Sequence, residues 1–240
     1  MRIVIPLAGF GTRFSEFEWK LPKPLIELHG RTLLEYSIRS IPITEGDSIL
    51  FVIRNDVNTE LLETEIRRLC VGKNFSIHVL SHPTRGQAET VYEGTLGLNP
   101  TEDMLIHNGD SAMNMNPLPR DVEADGILLT FKSQESRWSY AGCNDDGFVN
   151  RVEEKVVISD RASTGTYYFS SIRLFQECFL DFLNEYDNTS EIYVAPLYNQ
   201  MIKQKHKVLL QESIDFFCLG TPEDLKANSK RLQDLWQPSW

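Results

Sequence analysis

The sequence has no run of lysine and arginine: 24 basic side chains are scattered among 34 acidic ones, for a net charge of −10. A surface that tracks a nucleic-acid backbone needs a basic stripe, so no nucleic-acid partner is expected. Nor does any apolar stretch approach the roughly 18 residues that cross a bilayer, and no charged start leads into an apolar run and a small-residue cleavage site. The chain is therefore expected in the cytoplasm, without membrane contact. The four cysteines, Cys70, Cys143, Cys178 and Cys218, form no CxxC pair and have no histidine at zinc spacing, which predicts reduced thiols. Repeats and low-complexity tracts are also absent, and 240 residues suffice for one α/β unit with a substantial core.

What is present starts at the amino end. Residues 2–6 read as a short buried strand that breaks into the loop 7–13, where Gly9 and Gly11 stand one residue apart. Glycine lets a main chain approach an anion closely, and Arg13 adds a planar fork of donors for phosphate oxygens. The loop lacks the third glycine of a dinucleotide fingerprint and the GK[ST] of a Walker loop. Lys23 lies between Pro22 and Pro24, which predicts an ammonium held out from a stiff, extended segment.

Further along, apolar strands at residues 25–28, 48–54, 75–80 and 104–110 alternate with helical spacing at 31–41 and 58–70, the latter with Leu61, Leu62, Ile66 and Leu69 on one side. A helix starting near Gln87 follows. This alternation predicts a parallel sheet wrapped on both faces, with ligands at the carboxyl ends of its strands. Asp110, at the tip of the strand MLIHNGD, is well placed to hold Mg²⁺ bridging phosphates. From residue 121 pairing strands dominate (126–132, 140–143, 148–153), with a hairpin turn at 144–147. Helices are expected at 171–183 and 192–203, and strands at 207–211 and 216–219. Thr221, Pro222 and Asp224 then specify a helix start, Thr221 as its cap. The tail LWQPSW exposes two tryptophans, Trp236 and Trp240, which read as a docked end or the contact of a homodimer.

AGFGTRF followed by PKPLIEL resembles the signature of the nucleotidyltransferases that make nucleotide-activated sugars, in which an NTP and a sugar 1-phosphate give an NDP-sugar and pyrophosphate. The resemblance implies a single Rossmann-like (GT-A-like) α/β domain over residues 1–240, with a mostly parallel central sheet and a smaller antiparallel acceptor-binding part. The nucleotide half would end near residue 120. It places Leu7, Ala8, Gly9, Gly11 and Thr12 against the nucleotide, Gly86 and Gln87 at the base, Asn108 and Gly109 along the nucleoside, and Mg²⁺ on Asp110. The family's usual glutamine before the base loop is missing, with Ser81 or His82 in its place. In the acceptor half, Gly142, Glu154, Lys155, Ser159, Thr164 and Gly165 match. Glu154 would accept sugar hydroxyl protons and Lys155 would bind the incoming phosphate. Val156 stands where the family has proline.

The resemblance also marks a loss. Where relatives carry a second Mg²⁺-binding aspartate before GTPxDL, this chain has Cys218, and a thiol is a poor ligand for a hard cation. Asp215 could replace it only through a shift or bulge, because an odd displacement turns a side chain to the other face. Arg13 and Lys23 are the expected catalytic cations. Three other readings stay open: a cytidylyltransferase for a non-sugar phosphate such as phosphocholine, a nucleotide-sugar glycosyltransferase, although its usual DxD is absent, and an inactive regulatory relative.

Overall fold

A computed structural model describes residues 1–11, 14, 21–56, 58–118, 123–185 and 191–235. Strand β1 (Arg2–Leu7) is followed by a 3-10 turn at Lys23–Leu25, the two-residue strands β2 (Glu27–Leu28) and β3 (Arg31–Thr32), and helix α1 (Leu33–Arg39), capped by the Thr32 hydroxyl. Next come β4 (Ser48–Arg54), α2 (Thr59–Leu69), β5 (Phe75–Leu80), α3 (Gln87–Thr95), β6 (Met104–His107) and β7 (Ser111–Asn114). The second half holds β8 (Gly126–Lys132), β9 (Ser139–Cys143), β10 (Val149–Glu154), β11 (Arg161–Phe169), α4 (Ile172–Glu185), α5 (Tyr198–Lys203), β12 (Val208–Glu212), β13 (Asp215–Cys218) and α6 (Pro222–Leu235). No helix among the described residues is long and apolar enough to cross a membrane.

One nine-stranded sheet runs through both halves. Strands β5, β4, β1 and β6 lie side by side and parallel. The antiparallel part begins where β11 joins β6, and β8, β9 and β10 continue it, with β12 parallel to β8 on the far side. Alternation along each strand divides the core. Val4, Leu50, Val52 and Ile106 point to the face covered by α3, α4 and α5, while Ile3, Ile5, Ile49, Phe51, Ile53 and Leu105 point to the face covered by α1 and α2. Each such fully buried side chain stabilises the sheet by about 1.5–3 kcal/mol, so the strand order is set by apolar pattern on both faces.

Four expectations need correction. Residues 192–197 are not α-helical: the Ile192 backbone is bonded to the chain at Arg85 and Ala88, Pro196 sits in a 3-10 turn at Ala195–Leu197, and α5 starts only at Tyr198. Leu61 is exposed and leaves the apolar side of α2 to Leu62, Ile66 and the partly buried Leu69. The strand expected at 25–28 shrinks to β2, because Lys23–Leu25 closes a 3-10 turn with Ile26 N–H on the Lys23 carbonyl at 3.1 Å. Finally, β6 ends at His107, and residues 108–110 form a turn into β7.

His107 closes β6 inside the core. Its Nε2 donates to the Ser111 carbonyl at 3.1 Å, leaving Nδ1 to accept from the Thr166 hydroxyl at 2.8 Å. Burial pushes its pKa down from 6.5 to about 4. Between those values the unfolded chain binds more protons than the folded one, so stability falls as pH drops from about 6.5 to about 4, by up to about 3 kcal/mol. Chemical denaturation at pH 7 and pH 4 reads this directly. The stability difference between the parent and His107→Gln is expected to narrow by that amount at the lower pH, and a constant difference contradicts the assignment.

Candidate active site

The parallel pairing of β1 with β6, Val4 opposite Ile106, brings the loops that follow both strands to one edge of the sheet. One is Ala8–Gly9–Phe10–Gly11 and the other Asn108–Gly109–Asp110. Gly109 lets the two loops meet closely, since a Cβ there would press on the Leu7 side chain and make it shift. Gly11 has φ +64°, a left-handed conformation that the turn after the loop needs, and Phe14 N–H closes that turn on the Gly11 carbonyl at 2.9 Å. Thr12 and Arg13 lie outside the described residues.

Lys23 is the centre of this edge. Its Nζ donates to Asp110 Oδ2 at 2.5 Å and to the Gly220 carbonyl at 3.1 Å, and lies 5.2 Å from the Phe14 ring centroid. The prolines fix it as foreseen, although in a 3-10 turn instead of an extended segment. Gly220 arrives from the far end of the chain because β13 pairs antiparallel with β7, Cys218 opposite Ser111, and Leu219 N–H bonds the Asp110 carbonyl at 2.8 Å. The result is a carboxylate, an ammonium and a peptide carbonyl from three separate segments at one spot.

Cys218 lies beside Asp110, where the resemblance wanted a second carboxylate. Burial, followed by the charges of Asp110 and Asp224, pushes its thiol far above the usual range. It is therefore protonated at neutral pH and donates to Asp224 Oδ2 at 3.2 Å. Asp224 also receives the Thr221 hydroxyl at 3.0 Å and Arg137 Nη1 at 2.9 Å, while its own N–H bonds Thr221 Oγ1, so the expected cap is present and the carboxylate is spent on it. Asp215 does not substitute. It stands at the opposite end of β13, opposite Asn114, with its carboxylate held by Asn114 Nδ2 at 3.1 Å and Arg231 Nη2 at 3.4 Å. No register shift interrupts β13, so three residues carry Asp215 roughly 10 Å along the strand and onto its other face.

The second half of the chain reaches this edge through β11. Thr166 pairs with His107, and Asn108 N–H bonds the Gly165 carbonyl at 3.0 Å. Gly165 has φ +80°, and a Cβ there would press on the Asn108 side chain, so the strand lies this close to the 108–110 loop because no side chain intervenes. Thr164 departs from expectation: it is 1% exposed and its hydroxyl donates to the Leu129 carbonyl at 3.2 Å, turned into the sheet. Gly142 lies in β9 with Asn150 Oδ1 3.3 Å from where its Cβ would be. Gln87 Nε2 donates to Asn108 Oδ1, tying the two amides expected at base and nucleoside to each other.

Glu154 closes β10, and Lys155 follows it. Burial raises the Glu154 carboxyl above its ordinary range, and the Ser139 hydroxyl donates to it. Lys155 has φ +60°, a conformation costly for a residue with a Cβ, held by its N–H on the Trp138 carbonyl at 3.0 Å. Its ammonium reaches the Tyr193 hydroxyl at 2.8 Å and lies 3.9 Å from Glu154 Oε1, and the phenol is the main reason its pKa is raised. The sequence alone assigns Tyr193 no role, because residues 192–203 read as a helix. Gly86, with φ +151°, packs so tightly on Ile192 that a Cβ would lie 2.6 Å from the Ile192 carbonyl oxygen. A continuous series of contacts thus leads from Asp110 and Asn108 through Gln87 and Gly86 to Glu191, Tyr193 and Lys155.

Comparison with known proteins agrees with this arrangement. The profile described as Nucleotidyl transferase matches residues 3–234. A UTP–glucose-1-phosphate uridylyltransferase of Haloferax volcanii, AglF, is 23% identical over 98% of this chain and 97% of its own. The crystal structure of the nucleoside-diphosphate-sugar pyrophosphorylase from Vibrio cholerae RC9 is 30% identical and aligns with a TM-score of 0.83 over 95% of this chain and 99% of that one. The inositol-1-phosphate CTP transferase from T. maritima aligns with a TM-score of 0.78 over 97% and 94%, and at 14% identity it shows the common fold alone. With nearly the whole length matched and the paired loops of β1 and β6 at one sheet edge, the chain belongs to the nucleotidyl transferase family.

Proposed function

We propose that this nucleotidyltransferase joins an NTP to a sugar 1-phosphate, releasing pyrophosphate and forming an NDP-sugar. The observation that carries the reading is Lys23, clamped between Asp110 and the Gly220 carbonyl at the carboxyl edge of the parallel strands, with a second lysine, Lys155, linked to it through the Gly86 loop. The sugar 1-phosphate is supported by the Haloferax relative, a UTP–glucose-1-phosphate uridylyltransferase, and the NDP-sugar by the Vibrio one, a nucleoside-diphosphate-sugar pyrophosphorylase.

The acceptor needs little activation, since its phosphate oxygen is already a nucleophile. That oxygen forms a bond to the α-phosphorus as the bond between the α-phosphorus and its bridging oxygen to the β-phosphate breaks, and the electron pair leaves with pyrophosphate. The protein's task is to align two polyanions and offset their repulsion. Main-chain N–H groups at residues 8–11, with Arg13 and Thr12, hold the β and γ phosphates; Lys23 turns from Asp110 to the α-phosphate; Lys155 aims the acceptor phosphate; Glu154 accepts sugar hydroxyl protons. Residues up to about 120 serve the nucleotide and the remainder the acceptor.

The donor set also fits Mg²⁺. Asp110 is a partly exposed hard oxygen donor, and this ion is commonly bound by one or two carboxylates together with substrate phosphates. Among the described residues no cluster of three or more His, Cys, Asp or Glu could cage a metal unaided, which suits an ion whose other ligands come from the triphosphate and water. Held by Asp110, Mg²⁺ would neutralise charge on the α-phosphate and the leaving pyrophosphate.

The test is to incubate the protein with each NTP, Mg²⁺ and a panel of sugar 1-phosphates, phosphocholine and inositol phosphate, and to follow pyrophosphate. Release is expected with at least one sugar 1-phosphate. Release confined to a non-sugar phosphate, or none across the panel, overturns the assignment.

A further inference from the structure

We propose that Tyr193 is a positioning residue for acceptor binding: it holds the Lys155 ammonium in place from a segment anchored to the base-side loop. The inference rests on the reading of Lys155 as the acceptor-phosphate ligand. Both ends of the contact are fixed by backbone. On one side, Lys155 is locked at φ +60° with its N–H on the Trp138 carbonyl. On the other, Ile192 N–H donates to the Arg85 carbonyl at 3.0 Å and the Ile192 carbonyl accepts from Ala88 N–H at 3.0 Å, so the residue next to Tyr193 is stitched to the start of α3.

The tyrosine grips the lysine twice. Its hydroxyl oxygen accepts from Lys155 Nζ at 2.8 Å, and the ring centroid lies 4.6 Å from the same nitrogen. The phenol proton goes to the Glu191 carboxylate, which leaves its oxygen lone pairs to the ammonium. An ammonium has three N–H donors, so the bond to Tyr193 leaves two for phosphate oxygens, and the acceptor need not displace the tyrosine. A free lysine loses much rotamer freedom on gripping a ligand, and a partner that holds it beforehand removes that loss. The benefit falls on acceptor affinity, because the lysine meets the same phosphate before and during transfer.

With the donor and acceptor pair that releases pyrophosphate fastest in the panel, Tyr193→Phe is expected to raise KM for the acceptor about five- to tenfold. The effect on kcat should be smaller, with KM for the NTP and Tm unmoved. Lys155→Met should raise the acceptor KM further, and adding Tyr193→Phe to it should change little, since both act through one contact. A packing role for the ring survives in phenylalanine, so it moves neither KM. If Lys155→Met raises the acceptor KM while Tyr193→Phe does not, or if the two effects multiply, the positioning role is wrong and the acceptor site stands. If Lys155→Met leaves the acceptor KM unchanged, the acceptor-site reading falls and this inference with it.

Discussion

Asp110→Asn is expected to lower kcat/KM for nucleotidyl transfer about a thousandfold, roughly 4 kcal/mol of transition-state stabilisation. The substitution keeps the shape and removes the charge. The amide leaves Lys23 with the Gly220 carbonyl and no anion at 2.5 Å, and it withdraws the hard oxygen that would share Mg²⁺ with the phosphates. Stability should change far less, about 1 kcal/mol or below, because the carboxylate is 34% exposed and water screens the pair. Pyrophosphate release at several Mg²⁺ concentrations, run beside a thermal melt, separates the two effects. A variant within tenfold of the parent at saturating Mg²⁺ shows that the aspartate is not at the reacting centre.

Lys23→Ala should cost about 3 kcal/mol or more in kcat/KM, the scale on which one preorganised charge donor acts. The loss should appear mainly in kcat, since charge on the α-phosphate and the leaving group grows towards the transition state. Lys23→Arg is expected to recover little. The ammonium is a point charge that fits between Asp110, the Gly220 carbonyl and the Phe14 ring, and a planar guanidinium is longer and wider than that gap. Near-normal turnover of the alanine variant, measured by steady-state kinetics, removes Lys23 from the mechanism.

How much of this could be read in the chain follows from how local each feature is. The two glycines of the opening loop, the proline-flanked lysine and the NGD turn announce themselves over a few residues, because conformational freedom and charge placement are local properties. The alternation of apolar strands and helices gave the sheet for the same reason, and β5, β8 and the start of α3 lie where their patterns place them. What was missed depends on contacts between distant segments. Strand β7 is four residues of SAMN with no readable period, yet its pairing with β13 carries Gly220 to Lys23 and leaves Asp215 at the wrong end. Residues 192–197 fall inside the helix expected over 192–203, but the Ile192 backbone bonds the chain at Arg85 and Ala88 instead, which sets Tyr193 beside Lys155. Thr164 matches a motif letter by letter while its hydroxyl is taken by the neighbouring strand. The facing of Asp215 away from Cys218 is legible from sequence, because the twofold alternation of a strand needs no tertiary information.

In the proposed mechanism Lys23 and Asp110 grip a triphosphate at the carboxyl edge of β1 and β6. Crystals grown with an NTP and Mg²⁺ test it most directly. Phosphate density is expected against the main chain of residues 8–11, with the α-phosphate within hydrogen-bond reach of Lys23 Nζ and the ion on Asp110. A nucleotide bound elsewhere, with the Lys23–Asp110 pair unchanged, contradicts it.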